Sequence, residues 1–286
     1  MKKAIFLLTI LFLAFSLTAC DKLVERGLKK QMTLSRADML TDGNLHVVMV
    51  GTGGPFPNTE RVSVSTAVIA GGEFILVDTG PGTEDYRDKP PFVRFFEKIV
   101  VVPYIPEEAA VVQVQALGYQ LEDVRHIVLT HMHFDHCGGL PDFPHATVHV
   151  HKREHETFTG RMRRWTELAY IKRHIAHGPH FALYEESDET WYDFPAVRLP
   201  FEPEMWLVPL HGHSYGHCGV AIMTDEGWLF HVGDAAPIGL GDYAPRWLVR
   251  LVLGPWAPRL RAFRDAHPEV RITTGHMWLD FWEDED

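Results

Sequence analysis

The segment His131-Met132-His133-Phe134-Asp135-His136 brings four possible metal ligands into six consecutive positions, with Cys137, Gly138 and Gly139 directly after it. Neutral imidazole and carboxylate are the borderline ligands that suit zinc and similar divalent ions, and the glycines let backbone approach such a site closely. Water bound to such ions ionises near neutral pH, so the chemistry on offer is hydrolysis that needs no serine or cysteine nucleophile. The chain carries 18 His against 3 Cys, and histidine is both the commonest metal ligand and the natural proton carrier near neutral pH. Other histidines read as ordinary: His174, His177 and His180 are spaced like a metal patch, but Pro179 interrupts a helix there and no carboxylate completes the set. His145, His149, His151 and His155 surround a strand and the helix after it and are read the same way.

A loop this dense in ligands has to be held by regular elements. Residues 124–129 read as a short buried strand running into it, and residues 146–150 as the next strand, after Pro141 and Pro144. Upstream, 45–50, 64–70 and 74–77 are strand-like runs separated by Gly and Pro clusters. Residues 106–117 read as a helix, with Pro106 and two glutamates at its start and Gly118 just past its end. Downstream, 152–176 read as helical, 205–210, 220–224 and 228–232 as strands, 258–266 as a helix and 270–274 as a last strand. Gly51-Thr52-Gly53-Gly54-Pro55 lacks the Lys-Ser/Thr of a phosphate loop and reads as a turn.

With 286 residues, 46% hydrophobic and 23% charged, the composition fits a folded globular protein and excludes disordered, collagen-like and multi-span membrane classes. A formal net charge of -11 repels a phosphate backbone, so no nucleic acid is expected as a partner. Lys2 and Lys3 precede an apolar run over residues 4–19 that ends at Cys20, which reads as an export signal and is short for a membrane-spanning helix. Leu17-Thr18-Ala19-Cys20 resembles the lipobox of bacterial lipoproteins. That resemblance implies a signal peptide over 1–19, lipidation of Cys20 and a membrane-anchored protein on the exported side. It is the periplasmic face of the inner membrane if the host is Gram-negative, where Asp21 resembles a retention signal. The lipidated N-terminus and polar stretch over 20–44 read as a tether, and the alternating strands and helices after it as one catalytic domain over 45–286. An exported compartment permits a disulfide between Cys137 and Cys218, although small buried thiols are the commoner state.

The HxHxDH segment resembles that of the metallo-β-lactamase superfamily, and further pieces follow in order over residues 45–280. Asp78 in Leu76-Val77-Asp78-Thr79-Gly80 resembles the family's supporting aspartate. His213 in Gly212-His213-Ser214, Asp234 in Val232-Gly233-Asp234 and His276 in Thr274-Gly275-His276 resemble its remaining ligands. The resemblance implies an α/β (α+β) fold, an αββα sandwich of two mixed sheets face to face with helices outside. It implies two divalent metal ions, zinc by default. His131, His133 and His213 would hold one ion and Asp135, His136 and His276 the other, with Asp234 shared. A hydroxide between the ions would be the nucleophile, and Asp135 could pass the proton. His217, His211 and His231 are expected to support the ligands rather than bind metal.

A small-molecule substrate is expected, and loops rather than metals set its identity. A tRNA-processing nuclease conflicts with export and acidity, a β-lactamase with a carboxylate at Asp234, and a thioester hydrolase with the exported compartment. Lactonases of acyl-homoserine lactones share all seven ligands, and residues 124–158 resemble them most, so a lactone or other small carboxylic ester comes first. Pro237 stands where those enzymes commonly have a substrate-binding tyrosine, for which Tyr215 or Tyr243 could substitute. Two apolar segments, Phe92 to Tyr104 and Tyr243 to Trp256, read as core helices, as an acyl pocket or as a surface resting on the bilayer. A β-lactamase or other amide or thioester hydrolase stays as the alternative function, and a non-catalytic metal-binding lipoprotein as the alternative class.

Overall fold

In strand β2 (Val64–Ala70), Ala67 and Ile69 point to one buried face and Val68 to the other, and the next strand repeats the alternation with Phe74 and Leu76 against Ile75 and Val77. Strands buried on both faces need a covering layer on each side, which is why their sequence is continuously apolar. The computed structural model describes residues 39–41, 44–52, 64–94, 106–161, 165–237, 240–241 and 245–276. The signal, Cys20 and most of the tether lie outside the described residues, as do Tyr243 and the stretch 95–105.

Among the described residues, β1 (His46–Thr52), β2 (Val64–Ala70), β3 (Glu73–Val77), β4 (Val124–Val128), β5 (Thr147–His151) and β6 (His180–Tyr184) form one sheet in that order. Its first two pairings are antiparallel and the other three parallel. A short hairpin, β7 (Thr190–Trp191) and β8 (Phe194–Pro195), leads to β9 (Val197–Arg198). The second sheet runs β13 (Arg271–Thr273), β12 (Gly227–His231), β11 (Cys218–Thr224), β10 (Met205–Pro209) and β9, antiparallel except between β12 and β13.

Between the sheets, Val68, Ile75, Val77 and Val128 pack on Met205, Leu207, Val220 and Ile222. Helix α1 (Thr83–Arg87) follows the first hairpin, and helix α2 (Ala110–Ala116) sets Ala110 and Val114 on the outer face of the first sheet, over Phe74, Leu76 and Ile127. Later helices are α3 (Phe134–Cys137), α4 (Lys152–Thr159), α5 (Arg246–Val252) and α6 (Ala257–Ala266). Leu260 and Phe263 of α6 cover Val208, Ala221 and Phe230 on the outer face of the second sheet. The order helix, sheet, sheet, helix is the expected αββα arrangement. Each fully buried phenylalanine, such as Phe74 or Phe230, contributes roughly 1.5–3 kcal/mol of that packing.

Some expectations need correction. Residues 152–176 are not one helix: α4 stops at Gly160, and two 3-10 segments, Trp165–Ala169 and Lys172–Ile175, follow. The helix expected over 106–117 starts as a 3-10 turn, Pro106–Glu108, before α2. The apolar segment near α5 is core only in part: Val249 and Trp256 pack against the cluster on the second sheet, but Trp247 is 68% and Leu251 50% exposed. Cys137 and Cys218 are free and buried, the first thiol donating to the Met132 carbonyl and the second to that of Gly216. No helix among the described residues is long and apolar enough to cross a membrane.

Candidate metal centre

The chain delivers the candidate ligands just past the carboxyl ends of strands, where α/β folds place their ligands. Asp78 follows β3, the His131–His136 loop follows β4, His213 follows β10, Asp234 follows β12 and His276 follows β13. Backbone bonds fix the first two loops to each other, from Asp78 N–H to the Val128 carbonyl and from Thr79 N–H to that of His136.

Asp78 organises the centre from beneath. Its residue sits at φ 56°, a left-handed conformation that Asp tolerates, and its carboxylate is fully buried. One oxygen accepts the Thr130 N–H at 2.8 Å; the other accepts the Thr130 hydroxyl at 2.7 Å and the His136 Nδ1–H at 2.8 Å. With its hydroxyl hydrogen committed to Asp78, Thr130 Oγ1 accepts from His131 Nδ1 at 3.0 Å. His213 Nδ1 donates to the Val252 carbonyl at 2.8 Å. In the neutral form of each of the three rings the proton thereby sits on Nδ1 and the lone pair on Nε2, the tautomer a metal ligand requires.

Those lone pairs converge. His131, His133 and His213 offer ligand atoms within 4.8 Å of one another, as do His131, His136 and Asp234, and Asp135, His136 and His276. His213 Nε2 faces His133 Nδ1 at 3.0 Å. Asp234 Oδ2 lies 3.5 Å from His213 Nε2, 3.5 Å from His136 Nε2 and 3.3 Å from His276 Nε2, which puts this carboxylate between the two groups of histidines. Asp135, less buried, lies 3.7 Å from His276. Thus the seven side chains singled out in the sequence stand together, with Asp78 and His217 behind them.

Burial, reinforced by neighbouring rings, holds His131 and His133 well below the ordinary imidazole range. Burial also acts against a charge on His136, but Asp234, Asp78 and Asp135 outweigh it and hold the ring well above that range. Burial would raise the Asp234 carboxyl, yet His276 and His136 keep it well below the usual value. Among the described residues, His131 Nε2, His136 Nε2 and Asp234 Oδ1 are buried with no hydrogen-bond partner. Such groups cost about 1–3 kcal/mol each unless something meets them, and a mixed imidazole and carboxylate set is met by a divalent cation. The residues therefore fit the metal that the sequence pattern implies.

His217 does not join the three clusters; its Nε2 accepts the Asp234 N–H at 3.0 Å and so fixes the backbone of the shared carboxylate. His211 donates to the His217 carbonyl and His231 pairs with the Thr273 hydroxyl. Of the first apolar segment, Phe92 packs edge-on against Phe134, with ring centroids 6.1 Å apart.

Glu154 was missed in the sequence because nothing local marks it. From α4 its fully buried carboxylate accepts four hydrogen bonds, from Met132 N–H at 2.9 Å, Tyr170 O–H at 2.8 Å, Ser214 O–H at 2.7 Å and Gly216 N–H at 2.9 Å. It ties the His131–His136 loop to the His213 loop, and places the Tyr170 ring 5.1 Å from that of His133. A glutamine has one acceptor oxygen, so Glu154→Gln leaves at least one donor facing an amide N–H. The expected loss is about 2 kcal/mol or more, which calorimetry reads as a melting temperature lowered by roughly 4–8 °C. An unchanged melting temperature would show that the four bonds are not made.

A sequence profile described as "Metallo-beta-lactamase superfamily" matches residues 58–276. A "Probable metallo-hydrolase" of Mycobacterium tuberculosis is 38% identical over 164 residues, 56% of this chain and 52% of that protein. An N-acyl homoserine lactonase of Bacillus cereus is 29% identical over 156 residues, 54% of this chain and 56% of that one. The chain spans about half the length of the curated relatives it matches. A crystal structure of a Bacillus thuringiensis AiiA variant with N-decanoyl-L-homoserine bound at the active site superposes with a TM-score of 0.58 at 19% identity, covering 85% of this chain and 96% of that one, a likeness of fold. With the profile spanning most of its length and the αββα layers in place, the chain belongs to the metallo-beta-lactamase superfamily.

Proposed function

We propose that the protein is a metal-dependent hydrolase of a lactone or related small carboxylic ester, using two divalent ions, zinc by default. The observation that carries this reading is the convergence of three ligand clusters, the middle one of His131, His136 and Asp234 sharing His131 with one neighbour and His136 with the other, with buried ligand atoms left unpaired among the described residues. When bound, such ions lower the pKa of water and polarise a carbonyl.

The chain's own groups supply the rest. His131, His133 and His213 would hold one ion and Asp135, His136 and His276 the other, with Asp234 common to both. Asp78, Thr130 and the Val252 carbonyl keep the Nε2 lone pairs of His131, His136 and His213 free. Asp135, the less buried carboxylate, is placed to accept a proton from the attacking water. Pro237 offers no side-chain donor, so substrate orientation falls to other groups. The lactonase named among the relatives supports a lactone, and the central position of Asp234 speaks against a β-lactamase.

Chelation tests the reading. Turnover of lactones of varied acyl length, measured beside aryl esters, thioesters and a chromogenic cephalosporin, is expected to be highest on the lactones, to vanish with a zinc chelator and to return with added zinc. Activity that survives complete metal removal would sink the proposal, and turnover confined to the cephalosporin would replace the substrate class.

A further inference from the structure

Outside the seven side chains, His151, Glu186 and His211 form another cluster in which one ligand atom from each lies within 4.8 Å of the other two. We propose that this cluster is a separate binding site for a divalent cation of the zinc class.

Three strand ends build it. His151 closes β5 and caps α4, Glu186 lies just past β6, and His211 lies just past β10 in the other sheet. His211 Nδ1 donates to the His217 carbonyl at 3.2 Å, which leaves the lone pair of the neutral ring on Nε2. That nitrogen stands 3.2 Å from Glu186 Oε1. Two ligand atoms each about 2.0–2.1 Å from a tetrahedral zinc are separated by roughly 3.3 Å, so the pair already has the spacing of one edge of such a site. The third member is His151, 4% exposed, whose Nε2 is buried without a hydrogen-bond partner among the described residues. Its ring stands edge-on to His211, centroids 5.1 Å apart.

An ion pair between His211 and Glu186 would satisfy those two residues and leave His151 Nε2 unmet. A cation engages all three. Burial, and then His211, push His151 down to about 4, so its ring is neutral at physiological pH as a ligand must be. Loading has one internal cost: His151 Nδ1 accepts the Arg153 N–H at 3.2 Å, and ligation through Nε2 moves the ring proton to Nδ1 and releases that helix cap. Glu186 is also 62% exposed. Both features make this site weaker than the main centre, filling in micromolar rather than trace zinc. An ion there would brace the loop from His211 to His217, which carries His213 and supports the backbone of Asp234.

The test uses the full chain equilibrated with zinc buffered at micromolar free concentration, with zinc per chain measured by mass spectrometry for the wild type, His151→Ala and Glu186→Ala. Each variant is expected to hold one ion fewer than the wild type. Because the readout is a difference, it stands whatever number the main centre holds, and a failure of the two-metal reading would appear equally in all three proteins. Glu186 is exposed, so its variant keeps the test open if His151→Ala misfolds. Equal zinc in the wild type and Glu186→Ala overturns the site.

Discussion

His133→Ala is expected to lower kcat/KM on any substrate of this protein by about a thousandfold while the fold persists. The size follows from the Lewis-acid contribution of a metal, several kcal/mol, with each 1.4 kcal/mol worth a factor of ten. The persistence of the fold follows from the side chain's partners. Among the described residues His133 Nδ1 hydrogen-bonds His213 Nε2 and Nε2 has no hydrogen-bond partner, so truncation removes a ligand without orphaning a described backbone donor or acceptor. Asp234→Ala belongs to the same experiment, since its carboxylate stands within 3.5 Å of three histidines from three loops. Steady-state kinetics beside thermal melts check both variants. Near-normal turnover in either would remove it from the metal assignment.

The second large effect is expected at a residue that touches no substrate. Asp78→Asn keeps the shape and keeps a residue type that tolerates φ 56°, so the backbone is not the variable. What changes is the second oxygen. An amide NH2 in its place faces the Thr130 hydroxyl and the His136 Nδ1–H, both of which donate to the carboxylate now. His136 loses the acceptor that fixes its tautomer, and His131 loses the ordered hydroxyl beneath it. Outer partners of metal ligands are worth about 10–100-fold in affinity or activity, and the expected loss lies at the upper end because two ligands depend on one carboxylate. Zinc titration against a competing chelator reads it. Wild-type affinity in Asp78→Asn would mean that the rings are held by something other than this acceptor.

Much of this was legible along the chain because the ligands are carried by strands with an unmistakable pattern. The apolar runs of β2 and β3, and the Ile127–Val128 end of β4, are buried on both faces, and the ends of β3 and β4 deliver Asp78 and the His131–His136 loop. The second sheet was readable for the same reason in β10, β11 and β12. Strand β6 was not read, since it follows Pro179, leaves Leu183 42% exposed and lacks any run of buried residues. The supposed helix beyond residue 160 failed because charge and apolar periodicity persist across a glycine that ends α4, while the packing beyond it favours short 3-10 turns.

The site residues that escaped notice did so for a different reason. Glu154 sits in a charged stretch of α4 that looks like a solvated face, and only the arrival of Met132, Ser214 and Gly216 from two distant loops turns it inward. His151 looked like a strand histidine, and Glu186 and His211 reach it only through the meeting of the two sheets. Spacing reports ligands that share a loop. It is silent about ligands that share a place only after folding.

The central claim is that seven side chains from four loops hold two metal ions, and diffraction from zinc-soaked crystals collected on either side of the zinc absorption edge tests it most directly. The account predicts two anomalous peaks about 3.5–4 Å apart, one against His131, His133 and His213, the other against Asp135, His136 and His276, with Asp234 reaching both. A single peak among these residues, or none at full zinc saturation, would contradict it.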